Sequence, residues 1–120
     1  MEPIRVQRKR VKGWKMPENT LSVTRPGKWG NPFRVEEMYR QDGIMLYGVK
    51  TSVMECVETL IRNCRPAYEL KSDAVQASIN CFEIYITGKD LSVLKGKNLA
   101  CFCLLENACH ADILLELANK

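Results

Sequence analysis

A short apolar run at residues 98–103, Asn-Leu-Ala-Cys-Phe-Cys, constrains the fold of this chain more than any other feature. Compact runs of this kind, bounded here by Gly96 and by a polar loop, are typical of buried strands. After the loop, Asn107 provides a helix N-cap signal, and residues 108–118 carry apolar side chains at helical spacing. The sequence therefore predicts a strand that leads through one loop into a final helix.

A second strand is predicted over residues 20–24, where apolar and small polar side chains alternate. It ends at Arg25-Pro26-Gly27, because proline cannot donate to a strand ladder and a Pro-Gly pair turns the chain. Between the two strands, the spacing of apolar residues predicts helices over residues 35–40, 50–63 and 72–86.

The order strand, helices, strand, helix predicts an α/β fold, because parallel strands are joined by helical crossovers. A chain of 120 residues has the size of one domain. We expect a single domain of two or three layers over residues 20–120, with a short and mainly parallel sheet flanked by helices. Residues 1–19 are basic and loop-like, and we interpret them as an N-terminal arm.

Positive charge is concentrated near the amino terminus. Residues 1–28 carry eight basic and two acidic side chains, whereas the rest of the chain carries ten basic and twelve acidic ones. This imbalance indicates an anionic partner, such as a phosphate, a nucleotide or a nucleic acid. One hypothesis is a nucleic-acid-binding arm, and the alternative is a solvated terminus without a partner. The basic side chains of the arm hypothesis are Arg8, Lys9, Arg10, Lys12 and Lys15.

No segment approaches the roughly 18 consecutive apolar residues that a membrane span needs. No apolar signal region follows the amino terminus either. We therefore expect a cytoplasmic protein without a membrane partner. In that compartment the six cysteines stay reduced and do not form a disulfide framework.

The two predicted strands end in the two most unusual loops of the chain. Ligands of open α/β sheets bind beyond the carboxyl ends of the strands, so these loops meet at one edge if the strands are parallel. There Arg25 and Lys28 supply charges for a phosphate or carboxylate. Trp29 either stacks on a base or covers the core, and Asn31 either binds a ligand or caps the turn. The predicted ligand-binding residues are Arg25, Lys28, Trp29, Asn31 and Cys103.

The cluster of cysteines around the only histidine allows three interpretations. As the second and third residues of the final helix, Cys109 and His110 are candidate catalytic residues, with Cys109 a nucleophile whose pKa the helix amino terminus lowers. Alternatively, Cys101, Cys103, Cys109 and His110 bind zinc, since residues 101 and 103 share a strand face. The spacing differs from the usual paired C-x₂₋₄-C knuckles, so we predict no metal and no cofactor. In the third interpretation these side chains only pack the core and the helix.

Four motifs, taken in order, are similar to those of one known family. They are QRKR with KGWKMP in residues 7–17, RPGKWGNPF in 25–33, LKGKNLACFC in 94–103 and CHADILLELAN in 109–119. The chain resembles the domain of unknown function 4326 family. That resemblance implies a small protein of the kind found in bacteria and many bacteriophages, without an established activity.

Three functional hypotheses follow. In the first, the protein binds a phosphorylated or nucleotide-like small ligand at the carboxyl edge of its sheet. Either Cys109 then makes the protein an enzyme that acts on this ligand, or the protein only binds it. In the second, it is a nucleic-acid-binding accessory protein that uses the basic arm. In the third, it is a small interaction protein directed at a host factor, with purely structural cysteines.

Overall fold

The computed structural model describes residues 2–25, 27–103 and 105–120. The strands, in chain order, are β1 (Arg5–Gln7), β2 (Thr20–Ser22), β3 (Arg34–Tyr39), β4 (Met45–Lys50) and β5 (Asn98–Cys101). The helices are α1 (Val57–Asn63), α2 (Lys71–Ile86) and α3 (His110–Ala118), with 3-10 turns at Met54–Cys56 and Ser92–Leu94. In the described part of the chain, no helix has the length and apolar character needed to cross a membrane.

The chain divides into two compact units. The parallel-sheet unit comprises Met1–Gly30 and Gly88–Lys120, and the hairpin unit comprises Asn31–Thr87. The first contains β1, β2, β5 and α3, and the second contains β3, β4, α1 and α2. The boundary predicted between an arm of residues 1–19 and a domain of residues 20–120 stays a prediction.

The parallel-sheet unit confirms the predicted α/β class. Its three strands lie in the order β1-β5-β2, and both outer strands pair with β5 in parallel. The central strand has Leu99, Ala100 and Cys101 buried, as expected for a parallel strand that is covered on both faces. Helix α3 packs against β5 and β1 and buries Leu114.

Several boundaries in this unit differ from the sequence-based predictions. Strand β1 lies within the segment predicted to be loop-like, because its backbone completes the open edge of β5. The predicted strands 20–24 and 98–103 end earlier, at Ser22 and Cys101. The final helix begins at His110 rather than at residue 108, with Cys109 as its N-cap residue. The predicted turn residue Pro26 lies outside the described residues.

The hairpin unit overturns one predicted helix. Residues 35–40 belong to β3, which pairs antiparallel with β4. The turn between them has the Gly43 N–H bonded to the Arg40 carbonyl and Gly43 at φ +83°, and the Arg40 N–H bonds to the Ile44 carbonyl. An Asp-Gly pair favours this hairpin turn as strongly as it favours the end of a helix. The prediction of a helix was therefore wrong because the turn signal was assigned to the wrong element.

The helix predicted over residues 50–63 is only partly correct. Its first residue, Lys50, ends β4, residues 54–56 form a 3-10 turn, and regular α-helix is confined to Val57–Asn63. Strand β4 is held on both sides, because Tyr47 also exchanges two backbone hydrogen bonds with Tyr68 at 2.8 and 2.7 Å. The helix predicted over residues 72–86 is confirmed as α2.

A buried polar network lies in the core of the hairpin unit. The side-chain amide of Asn31 donates to the Ser78 hydroxyl at 3.0 Å, and that hydroxyl donates to the Phe33 carbonyl at 2.6 Å. The Asn31 side-chain oxygen accepts from the Phe33 N–H at 2.9 Å. Around this network, Phe33 and Phe82 are fully buried, and the Phe33 ring meets Tyr85 edge to face. The network fixes the start of the unit against α2.

Candidate functional site

The carboxyl ends of all three parallel strands meet at one edge of the sheet. This follows from the strand directions, since β1 and β2 both run parallel to β5. The Arg8 N–H extends the ladder beyond β1 by bonding to the Cys101 carbonyl, and the Val23 N–H does so beyond β2 by bonding to the Ala100 carbonyl. Helix α3 begins at the same edge, because the ring of its first residue, His110, contacts the Val23 carbonyl.

A cleft of about 310 Å³ opens at this edge. We call it the arginine–thiol cleft. Its lining consists of Arg10, Thr24, Arg25, Cys101, Phe102, Cys103 and His110. Two guanidinium groups and no carboxylate are among these lining residues, so the cleft is electropositive. The expectation that the loops after the two predicted strands meet is confirmed, because Arg25 shares this cleft with Cys103 and His110.

Two arginines that follow β1 pack on the ring of Phe102. The guanidinium carbon of Arg8 lies 4.7 Å from the ring centroid, and that of Arg10 lies 4.1 Å from it. Arg8 also donates to the hydroxyls of Ser22 at 3.1 Å and Thr24 at 3.0 Å, while its buried Nε has no hydrogen-bond partner. In the described part of the chain, neither arginine is in an ion pair. Cation–π packing and hydroxyl contacts thus hold positive charge beside the cleft without neutralising it.

Arg25 is positioned by the close packing of its own loop. The Gly27 N–H bonds to the Thr24 carbonyl, and the Gly30 N–H bonds to the Gly27 carbonyl, both at 3.0 Å. A Cβ at Gly30 would lie 2.9 Å from both the Cα and the N of Arg25. Only glycine therefore allows the loop to fold back this tightly onto Arg25.

Three thiols form a cluster beside the cleft. The Sγ atoms of Cys101, Cys103 and Cys109 lie within 4.8 Å of one another, and those of Cys101 and Cys109 are 3.3 Å apart. The thiols of Cys101 and Cys109 donate to Cys103, which lowers the pKa of Cys103, and the positive charge of Arg5 lowers it further. The same contacts raise the pKa of Cys109, which is also buried. Of the three thiols, the half-exposed Cys103 is the one whose pKa these contacts lower.

The His110 ring is oriented by the backbone of the chain after β2. Its Nε2–H donates to the Val23 carbonyl at 2.7 Å, and its Nδ1 lies 3.6 Å from the Cys109 Sγ. Burial lowers the pKa of His110, and the nearby Arg25 charge lowers it further, against the opposing effects of the Val23 carbonyl and Cys103. The imidazole is therefore neutral at physiological pH.

Arg5 connects the first strand to the helix that starts at the site. Its guanidinium forms an ion pair with Asp112 at 2.9 Å and also donates to the Leu105 carbonyl. The Arg5 side chain is 7% exposed, whereas Asp112 is half exposed. This buried cation joins β1 to the Leu105 carbonyl and to the first turn of α3.

The remaining predicted site residues occupy other positions. Lys28 is exposed and lies 4.9 Å from the ring of the half-buried Trp29, and neither lines the described part of the cleft. Asn31 belongs to the hairpin unit, where it is buried and bonded to Ser78. The ligand-binding roles of these three residues stay predictions, as do the catalytic roles of Cys109 and His110.

Sequence reasoning assigned Arg8 and Arg10 to a basic, loop-like arm and gave Phe102 no role. The structure brings all three together, because β1 pairs with β5 and carries the basic segment to the end of that strand. The only sequence signal was the weak alternation around Val6, which is too short to identify a strand. Lys9, Lys12 and Lys15 lie beside this segment and are exposed.

A second cleft, of about 340 Å³, lies in the hairpin unit. It is lined by Asn63, Arg65, Tyr68, Asp73, Gln76, Ala77 and Asn80. Its arginine is accompanied by the carboxylate of Asp73, and it contains no thiol or imidazole. The arginine–thiol cleft therefore has the more distinctive chemistry of the two.

Comparison with known proteins gives a family and no characterised relative. The model of the family described as Domain of unknown function (DUF4326) matches residues 6–120, which is nearly the whole chain. The resemblance drawn from the four motifs is thereby confirmed. No curated protein and no solved structure matches the chain.

Proposed function

The chain belongs to the family described as Domain of unknown function (DUF4326), and we propose that it binds a phosphorylated or nucleotide-like anion in the arginine–thiol cleft. The observation that carries the proposal is the convergence of Arg10 and Arg25 on one cleft without a carboxylate in its described lining. Arginine is suited to phosphate because its planar fork donates two hydrogen bonds to one group.

The positions of the arginines support the proposal further. Arg10 packs on Phe102, and the fold of the loop back onto Gly30 holds the backbone of Arg25. A side chain that is held in place before binding, as that of Arg10 is by Phe102, loses less conformational entropy when a ligand arrives. The Thr24 hydroxyl adds a neutral hydrogen-bonding group to the lining.

The volume of the cleft limits the size of the ligand. Small-molecule sites enclose about 300–1,000 Å³, and this cleft lies at the lower end of that range. A mononucleotide or sugar phosphate is therefore favoured over a dinucleotide cofactor.

Isothermal titration calorimetry of the full chain tests the proposal. The probes are pyrophosphate, adenosine monophosphate and, as the uncharged control, adenosine. We expect the two anions to bind and Arg25→Gln or Arg10→Gln to weaken binding about 10- to 100-fold, since a charged hydrogen bond contributes about 1.5–3 kcal/mol. Arg34→Gln, at an exposed arginine of the hairpin unit, is the matched control and leaves affinity unchanged. Absence of binding by both anions, or equal affinity in all variants, contradicts the proposal.

A second candidate, single-stranded nucleic-acid binding, is favoured by one observation. Arg10 lines the cleft and is continuous in sequence with the exposed Lys9, Lys12 and Lys15. In that case replacing the three lysines with glutamine reduces both the affinity for an oligonucleotide and its dependence on salt. If the cleft binds a small molecule, the triple variant binds adenosine monophosphate as the wild type does.

A further inference from the structure

The cluster formed by Cys101, Cys103 and Cys109 has the composition and spacing of a metal site. Each residue offers one sulfur atom, and all three sulfurs lie within 4.8 Å of one another. They come from the end of β5 and from the N-cap position of α3. Cys101 and Cys109 are buried, and three thiols that face one another supply the soft sulfur ligands that zinc prefers.

The distances fit a tetrahedral ion. Zinc binds thiolates at about 2.3 Å and imidazole nitrogens at about 2.0–2.1 Å, so neighbouring ligands are about 3.8 Å apart for two sulfurs and about 3.6 Å apart for sulfur and nitrogen. The Cys101–Cys109 separation is 3.3 Å, and the Cys109 sulfur lies 3.6 Å from Nδ1 of His110. An increase of about half an ångström brings the Cys101–Cys109 pair to the required spacing. The ring of His110 is not among the groups whose ligand atoms all lie within 4.8 Å of one another, so it must move toward the thiols to become the fourth ligand.

The groups around the cluster have the arrangement of an outer coordination shell. The Nε2–H of His110 donates to the Val23 carbonyl, so Nδ1 is the ring nitrogen on the side of the thiols. Metal-binding histidines are oriented in this way by a hydrogen bond from the other ring nitrogen. The Ala111 amide interacts with the Cys109 sulfur and the Cys103 amide with the Cys101 sulfur. Backbone N–H groups that point at thiolates stabilise their negative charge.

Charge balance favours the same conclusion. One divalent ion with three thiolates and a neutral imidazole has a net charge of −1. Arg5, whose side chain is 7% exposed, acts on Cys103 through its charge, and Arg25 acts in the same way on His110. Because Arg5 is already paired with Asp112, the charge of Arg25 offsets the single negative charge of the loaded site.

We propose that the parallel-sheet unit binds one Zn²⁺ ion through the thiolates of Cys101, Cys103 and Cys109 and through Nδ1 of His110. Each thiol that binds as a thiolate releases one proton to solvent. The ion joins the end of β5 to the first residue of α3 and forms part of the wall of the arginine–thiol cleft, because Cys101, Cys103 and His110 line that cleft. Zinc is favoured over magnesium or calcium because those ions prefer oxygen ligands.

The test is the metal content of the full chain, purified without chelators and after removal of any affinity tag. Inductively coupled plasma mass spectrometry is expected to find about one zinc per chain. Cys103→Ser and Cys109→Ser are each expected to lower the zinc content at least fivefold. Cys64→Ser is the matched control, because Cys64 is half-buried and lies in the hairpin unit, and it retains the zinc of the wild type. His110→Ala lowers the zinc affinity, and His110→Cys restores it by supplying a fourth thiolate.

Cobalt substitution gives a readout that does not depend on the folding of any variant. Wild-type protein stripped of metal and loaded with Co²⁺ is expected to show the sulfur-to-cobalt charge-transfer and d–d bands of a tetrahedral thiolate site. Absence of both zinc and these bands overturns the proposal, as does iron in place of zinc or a disulfide between Cys101 and Cys109 in the mass spectrum. Zinc retained at wild-type affinity by His110→Ala overturns the assignment of the fourth ligand.

The metal-site proposal goes beyond anion binding, and an experiment can contradict either proposal without contradicting the other. Arg25→Gln removes no zinc ligand, so it is expected to retain zinc while losing affinity for pyrophosphate. A protein that binds pyrophosphate but no zinc therefore contradicts only the metal site, and one that binds zinc but no pyrophosphate contradicts only the proposed function.

Discussion

Replacing Ser78 with alanine removes the centre of the buried network in the hairpin unit. The Ser78 hydroxyl accepts from the Asn31 side chain at 3.0 Å and donates to the Phe33 carbonyl at 2.6 Å. Ser78 is 4% exposed, so water cannot replace the lost hydroxyl without rearrangement. The variant therefore removes two hydrogen bonds and leaves a buried carbonyl without the partner that it had.

The expected loss follows from those two contacts. Each hydrogen bond contributes about 1 kcal/mol, and a carbonyl left unsatisfied in the core adds about 1–3 kcal/mol. Alanine offsets about 0.5 kcal/mol of this because it favours helix over serine. We expect the free energy of unfolding to fall by about 2.5–4.5 kcal/mol, which lowers Tm by about 10–18 °C for a chain of this size.

Urea unfolding followed by circular dichroism measures this loss. Ser72→Ala is the matched control, because Ser72 is exposed on the same helix and gains the same helix propensity. We expect that control to change stability by less than about 0.5 kcal/mol. A loss below about 1 kcal/mol in Ser78→Ala would show that the network contributes little, and the structural role of Asn31 would then need another explanation.

Three further predictions concern the parallel-sheet unit. Gly30→Ala introduces a methyl group 2.9 Å from the backbone of Arg25, so it should lower stability by about 1–3 kcal/mol and weaken pyrophosphate binding in calorimetry. Unchanged affinity argues against a role of Gly30 in positioning Arg25. Phe102→Leu removes the ring 4.1 Å from the guanidinium of Arg10, and we expect urea unfolding to show a stability loss of about 1–2 kcal/mol. Unchanged stability excludes a cation–π contribution. Arg5→Met breaks the ion pair with Asp112 of α3. Because the Asp112 carboxylate is half exposed, we expect the free energy of unfolding to fall by about 2 kcal/mol, and a variant that is more stable in thermal unfolding refutes this.

The cysteines illustrate how far local sequence reasoning reaches. The spacing of Cys101 and Cys103 on a strand identified the two thiols as neighbours, and the N-cap region placed Cys109 at the start of a helix. The sequence pointed to Cys109 as the thiol with a lowered pKa, whereas the contacts in the structure raise the pKa of Cys109 and lower that of Cys103. The lowered pKa of Cys103 depends on its contacts with two other thiols and on the charge of Arg5, which are brought together only by the fold.

Strand β3 of the hairpin unit shows where local sequence patterns fail to predict the structure. The residues of β3 carry apolar side chains at a spacing compatible with a short helix, and the Asp-Gly turn that follows is compatible with either element. Pairing with β4 decides the outcome, since the strand backbone gains hydrogen bonds along the register from Arg34 to Tyr39. Short segments have too little periodicity to resolve this choice without their partners.

By itself, the sequence determined the α/β class, helix α2, the two loops that meet at the edge of the sheet, and the family. These follow from apolar periodicity, turn chemistry and ordered motifs, which are local properties of the chain. Only the tertiary structure decided that β1 is a strand, that Arg8 and Arg10 pack on Phe102, and that three thiols and an imidazole are adjacent. The reason is that parallel pairing joins residues about a hundred positions apart, and no pattern within a short window specifies such a partner.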